Sequence, residues 1–195
     1  MEHPPSLLIL GIPIMFVVLR KHSTTSNKPL ELVSYTTNGL FFTQAKYAHD
    51  ILASAGLLDA KPALTPLSKS TQFTSYGDPF SDPTFYRSLV GVLQYLIISR
   101  PDLLDAVNQV SQFLHVPTKN HFQAVKRILW YVKGILSFGL TFQRSHAHSL
   151  VACSDADWAR CIETRRSMYG YSIFLGGNIV SWTTKKQLLR LCARQ

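Results

Sequence analysis

Thr118-Lys119-Asn120-His121-Phe122-Gln123-Ala124-Val125-Lys126-Arg127-Ile128-Leu129-Trp130-Tyr131-Val132-Lys133-Gly134 is the stretch on which the reading of the fold turns. Thr118 follows Pro117 and can cap a helix with its hydroxyl. Phe122, Val125, Leu129 and Val132 then recur at helical spacing on the inward side, and Gly134 supplies the exit. Beyond Gly134 the period changes from helical to alternating. Gly139 to Phe142, Ser149 to Ser154, Met168 to Leu175 and Asn178 to Thr183 read as strands, and Gly176-Gly177 joins the last two as a tight hairpin.

Upstream of that helix stand two more. Leu103 to His115 carries Leu103, Ala106, Val107, Val110 and Leu114 at helical spacing, and Phe85 to Ile98 places Leu89, Val92, Leu93 and Leu96 along one face. Arg100-Pro101-Asp102 separates them, because the residue before a proline is pushed out of the helical region. From Asp59 to Pro83 the chain holds Pro62, Pro66, Pro79 and Pro83 among Ser, Thr and Lys, which reads as an extended connector. Gln44 to Leu58 puts Tyr47, Ile51, Leu52, Ala55 and Leu58 on one stripe, with Gly56 weakening the last turn. Leu30 to Tyr35 and Leu40 to Thr43 flank Thr36-Thr37-Asn38-Gly39, and an Asn-Gly pair between apolar runs signals a hairpin. The expected class is α+β: a hairpin and helix, a proline-rich link, a helical layer, then the opening strands of a sheet.

The 195 residues suffice for one ordinary domain or two small ones, and 46% hydrophobic residues against 16% charged can build a core. Twenty Lys and Arg against 11 Asp and Glu give a net charge of +9, a field that attracts polyanions. Between Asp105 and Asp155 there is no acidic residue, while Lys119, Lys126, Arg127, Lys133 and Arg144 all occur. On the helix that opens at Thr118, Lys126 and Lys133 lie two turns apart on one face with Arg127 beside it. That geometry suits a phosphate backbone; a solvated helix face is the other reading. Arg165 and Arg166 have the same two readings. Phe113, Phe122, Trp130 and Tyr131 occupy core-like positions.

Cys153, Cys161 and Cys192 follow no paired or metal-ligand spacing, which argues for an intracellular, reducing compartment. His146 and His148 are read as loop residues. The apolar run Leu7 to Leu19 is short for a membrane helix and is broken by Gly11 and Pro13, so no membrane attachment is expected. Ser23 to Lys28 reads as a loop.

An ordered set of motifs resembles the Pol polyproteins of Ty1/copia-type retrotransposons. Gly39-Leu40-Phe41-Phe42-Thr43-Gln44-Ala45-Lys46-Tyr47 looks like the end of that family's reverse transcriptase palm, and Thr65-Pro66-Leu67 like the linker after it. Tyr86-Arg87-Ser88-Leu89-Val90-Gly91, Gln94-Tyr95-Leu96, Arg100-Pro101-Asp102, His121, Ala124 to Leu129 and Tyr131 to Gly134 resemble its thumb and connection. Ser154-Asp155-Ala156-Asp157-Trp158-Ala159 is similar to the first strand of its ribonuclease H domain, and Arg165-Arg166-Ser167, Gly170-Tyr171, Phe174-Leu175-Gly176, Ile179 to Trp182 and Lys185-Lys186-Gln187 continue it.

The resemblance implies five regions. They are an atypical segment over 1–30, a palm-like region over 31–60, the linker over 61–83, a thumb-like helical region over 84–134, and a truncated ribonuclease H-like region over 135–195. It also makes Asp155 the vestige of a catalytic Mg²⁺ ligand, with Asp157 and Trp158 as turn and core residues. No Asp-Asp pair occurs, although the family's polymerase centres on a Tyr-x-Asp-Asp turn. After Asp155 the carboxylates are Asp157 and Glu163, and two-metal hydrolysis needs a cluster of them. The expectation is therefore a degenerate fragment with no enzymatic activity and no cofactor, though the intact family uses Mg²⁺. A residual binding module for RNA–DNA hybrid or duplex, working through Lys126, Arg127 and Lys133, is the alternative. A ribonuclease H active with a Glu from another chain is a third reading. Residues 135 to 195 are expected to be the less stable half, since strands without covering helices expose an apolar face and open edges.

Overall fold

In a computed structural model, residues 32–68, 73–145, 149–157 and 166–187 are described. The runs 7–19 and 23–28, His146, His148, Trp158, Cys161, Glu163, Arg165 and residues 188–195 lie outside them. The described elements make an α+β fold. In chain order they are β1 (Leu32–Thr36), β2 (Gly39–Thr43), α1 (Ala45–Ser54), α2 (Pro83–Leu96), a 3₁₀ turn (Pro101–Leu103), α3 (Leu104–Ser111), α4 (Lys119–Gly134), β3 (Leu140–Gln143), β4 (Leu150–Ala156), β5 (Met168–Leu175) and β6 (Asn178–Lys186).

The four helices share one core. Leu52, Tyr86, Leu93, Leu96, Leu103, Ile128 and Leu129 are fully enclosed. The Tyr86 hydroxyl donates to the Val110 carbonyl at 2.8 Å, so the buried phenol is satisfied, and burial pushes its pKa up.

Helix boundaries differ from the sequence reading for local reasons. α1 stops at Ser54 because Gly56, at φ +66°, closes it: Leu57 N–H donates to Leu52 O and Gly56 N–H to Ala53 O, the paired bonds of a Schellman motif. α2 starts at Pro83, where the Asp82 carboxylate accepts from Phe85 N–H at 2.9 Å. α3 ends at Ser111, short of His115, and the Arg87 guanidinium takes up the Leu114 and His115 carbonyls instead.

α4 is capped as its sequence suggests. Thr118 Oγ1 accepts from His121 N–H, while His121 Nδ1 accepts from Thr118 N–H at 3.0 Å. Replacing Thr118 with Ala removes one acceptor from this reciprocal cap and is expected to cost about 1 kcal/mol. Urea unfolding of the variant checks this; an unchanged midpoint would show the cap to be dispensable.

Each sheet has three antiparallel strands, ordered β1-β2-β3 and β4-β5-β6. Two points depart from the sequence reading. The first hairpin turns over Thr37 and Asn38, so Gly39 sits in β2 opposite Thr36, not at a positive-φ turn position. A side chain at Gly39 would overlap the Phe142 carbonyl of β3, so its role is close approach between strands. The second departure is β3, which pairs with β2 across Leu40↔Phe142 and Phe42↔Leu140 and does not join the later strands. Gly139 matches Gly39 here, since a Cβ there would overlap the Phe42 carbonyl. Gly176 and Gly177, at φ +56° and +87°, form the β5–β6 turn as read.

Asn178 and Gln143 exchange two 2.8 Å hydrogen bonds that tie β6 to β3. Asn108 of α3 donates to the Thr184 carbonyl at 3.1 Å, and Lys186 donates to Gln112, so α3 covers part of the second sheet. Among the described residues its β4 edge has no partner, and all seven of its residues are exposed, including Leu150 and Val151. Among the described residues no helix is long and apolar enough to cross a membrane.

Candidate functional site

Two groups of residues were singled out by sequence, the α4 cations and Asp155, and the structure keeps them apart. α4 carries its apolar positions inward, with Val125, Ile128, Leu129 and Val132 buried, which leaves Lys126, Arg127 and Lys133 half-buried along its flank. Each of the three already has a neighbour. Lys126 Nζ stands 4.9 Å from the centre of the Phe122 ring. Arg127 Nη2 donates to Thr65 Oγ1 at 2.9 Å, and Lys133 Nζ donates to the Ala60 carbonyl at 2.5 Å.

Those acceptors belong to the proline-rich segment, which is therefore not a free link. Residues 60–65 run antiparallel along the C-terminal half of α4. Ala60 meets Lys133, Pro62 lies against Gly134, Ala63 N–H donates to the Trp130 carbonyl at 3.1 Å, and Thr65 meets Arg127. Further along, Phe80 stacks on Phe122 at 4.1 Å and Asp78 pairs with Lys119 at 3.1 Å. Arg127 Nε and Trp130 Nε1 are buried on this helix with no acceptor.

At the C-terminal end of α4 the Arg100-Pro101-Asp102 motif, read from sequence as punctuation, proves to be a fastening. Arg100 is 5% exposed. Its Nε and Nη2 grip the two Asp102 oxygens at 2.9 and 2.6 Å, and Nη1 donates to the Ile135 carbonyl at 3.0 Å. The Tyr131 hydroxyl donates to Asp102 at 3.0 Å. Burial, then that bond to a carboxylate, pushes the Tyr131 phenol pKa up.

Asp155 lies on the exposed edge strand β4, opposite Gly170. It opens on a depression of about 550 Å³ that Asp157, Asp102 and Asp105 also line. Asp102 is committed to Arg100 and Tyr131 and Asp105 accepts from Gln109 at 2.7 Å, whereas Asp157 accepts from the Met168 N–H at 2.6 Å through Oδ1 and keeps Oδ2 buried without a partner. Asp157, read from sequence as a turn residue, continues the β4–β5 pairing by exchanging bonds with Met168, and the residues that follow it lie outside the described ones. Among the described residues no group of three His, Cys, Asp or Glu side chains is placed to hold a metal ion. Cys153, on the same strand, is exposed and free. Asp102 and Asp105 went unnoticed as lining residues because they arrive from a helix some 50 positions away in sequence.

No protein-family model matches the chain, and no solved structure matches it significantly. Curated relatives do. The chain is 42% identical over 179 residues to an uncharacterized mitochondrial protein of Arabidopsis thaliana, a match covering 88% of this chain and 75% of that protein. It is 45% identical over 150 residues to the retrovirus-related Pol polyprotein from transposon RE1 of Arabidopsis thaliana, covering 76% of this chain. It is 37% identical over 162 residues to the retrovirus-related Pol polyprotein from transposon TNT 1-94 of Nicotiana tabacum, covering 78% of this chain. The chain spans about three quarters of the mitochondrial relative but only 10% and 12% of these two Pol polyproteins.

Proposed function

The chain belongs to the Ty1/copia-type retrotransposon Pol polyproteins, and from that membership we propose that these 195 residues form a Pol-derived module without catalytic activity of its own. In this reading β1 to α4 corresponds to the end of the reverse transcriptase, and β4 to β6 to the opening strands of the ribonuclease H domain. The observation that carries it is the state of Asp155. Hydrolysis by two metal ions needs several anionic oxygens on one pair of cations. Asp155 stands on an exposed strand, and of the two Asp157 oxygens Oδ1 is held by the Met168 N–H.

Mg²⁺ is the metal that the family resemblance implies, and the donor set does not fit it. Mg²⁺ prefers near-octahedral oxygen coordination through one or two carboxylates. Asp155 and the unpartnered Asp157 Oδ2 offer oxygens for one ion at most, while Asp102 and Asp105 serve Arg100 and Gln109, so the carboxylate cluster that a pair of ions needs is missing among the described residues. A Mn²⁺ titration followed by paramagnetic broadening of backbone amides tests the proposal. Broadening is expected to stay diffuse over acidic surface residues. Saturable broadening centred on Asp155 and Asp157 would overturn it.

A further inference from the structure

The geometry points to residues 59–67 as a displaceable strap that occupies the cationic flank of α4 and competes with a nucleic-acid phosphate backbone for it. The inference does not depend on whether the chain is catalytic. It rests on the unequal chemistry of the contacts. Arg127 and Lys133 are full cations, yet their partners are a neutral hydroxyl, Thr65 Oγ1, and a neutral carbonyl, Ala60 O. A phosphate would add a full negative charge, and to Arg127 a bidentate pair of acceptor oxygens, where the present partners offer one neutral oxygen each. The helix itself offers no countercharge, since no acidic residue occurs between Asp105 and Asp155.

Over most of its length the strap has little apolar anchorage: Asp59, Lys61, Pro62 and Thr65 are exposed and Leu64 is 96% exposed, while Leu67 at its end packs against the helical core. Its other tie to α4 is the Ala63 N–H bond to the Trp130 carbonyl. Beneath these few bonds the flank keeps spare donors, because Arg127 Nε and Trp130 Nε1 have no acceptor with the strap in place. A phosphate supplies both the missing acceptors and the missing charge. Lifting the strap would free Arg127 and Lys133 together, adding two cations beside Lys126.

Binding of the full chain to an RNA–DNA hybrid duplex, measured by fluorescence anisotropy at low salt, tests this together with amide hydrogen exchange. Thr65→Val removes the acceptor from Arg127 while keeping size and β-branching at an exposed position. The variant is expected to bind the hybrid about threefold to tenfold tighter, the equivalent of one lost hydrogen bond. The Ala63 amide is expected to exchange faster once hybrid is added to the unaltered chain. Binding seen with the variant alone would support the strap as a stronger block. Hybrid binding with Ala63 protection unchanged and equal affinity for the variant would overturn the strap. Absence of binding by both chains would overturn it too. Either result leaves the metal titration above free to decide the non-catalytic reading by itself.

Discussion

Asp102→Ala should unfold at a lower urea concentration than the unaltered chain, with about 1.5 to 3 kcal/mol of stability lost, since the Asp102 side chain is 38% exposed and water takes up part of its place. The reason is what the substitution leaves behind. Arg100 is 5% exposed, and with Asp102 gone its guanidinium keeps one acceptor, the Ile135 carbonyl. A buried charge without its partner costs far more than the pair contributes when intact. Tyr131 loses its acceptor in the same step. Tyr131→Phe is the control, since it removes a single hydrogen bond and should cost about 1 kcal/mol. Equal effects from the two substitutions, measured by circular dichroism in urea, would mean that Arg100 finds another acceptor or water and that the motif is not the fastening described.

Gly39→Ala carries the second large effect, about 2 to 3 kcal/mol. A methyl group there collides with the Phe142 carbonyl oxygen, and the surrounding atoms are backbone, which cannot swing aside as a side chain can. β2 and β3 would have to separate or shift at their Gly39↔Gln143 end. Gly91 gives the opposite case. It lies exposed on α2 with nothing within 4 Å of an added Cβ, so Gly91→Ala is expected to stabilise by about 0.5 to 1 kcal/mol through helix propensity. Thermal melts of the pair should move in opposite directions. A melting temperature for Gly39→Ala equal to that of the unaltered chain would contradict the close approach of the two strands.

These two residues also show what the sequence made legible. Gly39 and the Arg100-Pro101-Asp102 motif both stood out, but only their local meaning could be read. Asn-Gly suggested a turn, and Pro suggested a helix break. Their larger roles depend on partners far along the chain, Phe142 for Gly39 and Ile135 for Arg100. Features decided within one or two helical turns came through well: the Thr118 cap, the apolar stripe of α4, and the Gly176-Gly177 hairpin. Their physics is complete within a few residues.

Pairing between distant segments was the harder part. Leu140 to Gln143 alternates as a strand should, yet alternation does not name a partner, and β3 joins β2. The connector shows the same limit. Four prolines excluded a regular helix, but they could not reveal that the segment lies along α4 with Thr65 on Arg127 and Ala60 on Lys133. As a result two of the three cations read as free for phosphate are engaged inside the chain. Asp155 falls on an open edge strand, and that exposure could not be read from its neighbours Ala152 to Asp157.

The central proposal is that these 195 residues carry no catalytic activity of their own. It is tested most directly by incubating the purified chain with a labelled RNA–DNA hybrid and either Mg²⁺ or Mn²⁺, alongside Asp155→Asn. The account predicts an intact hybrid, with the same trace from both proteins. Metal-dependent cleavage by the unaltered chain that disappears in Asp155→Asn would contradict it.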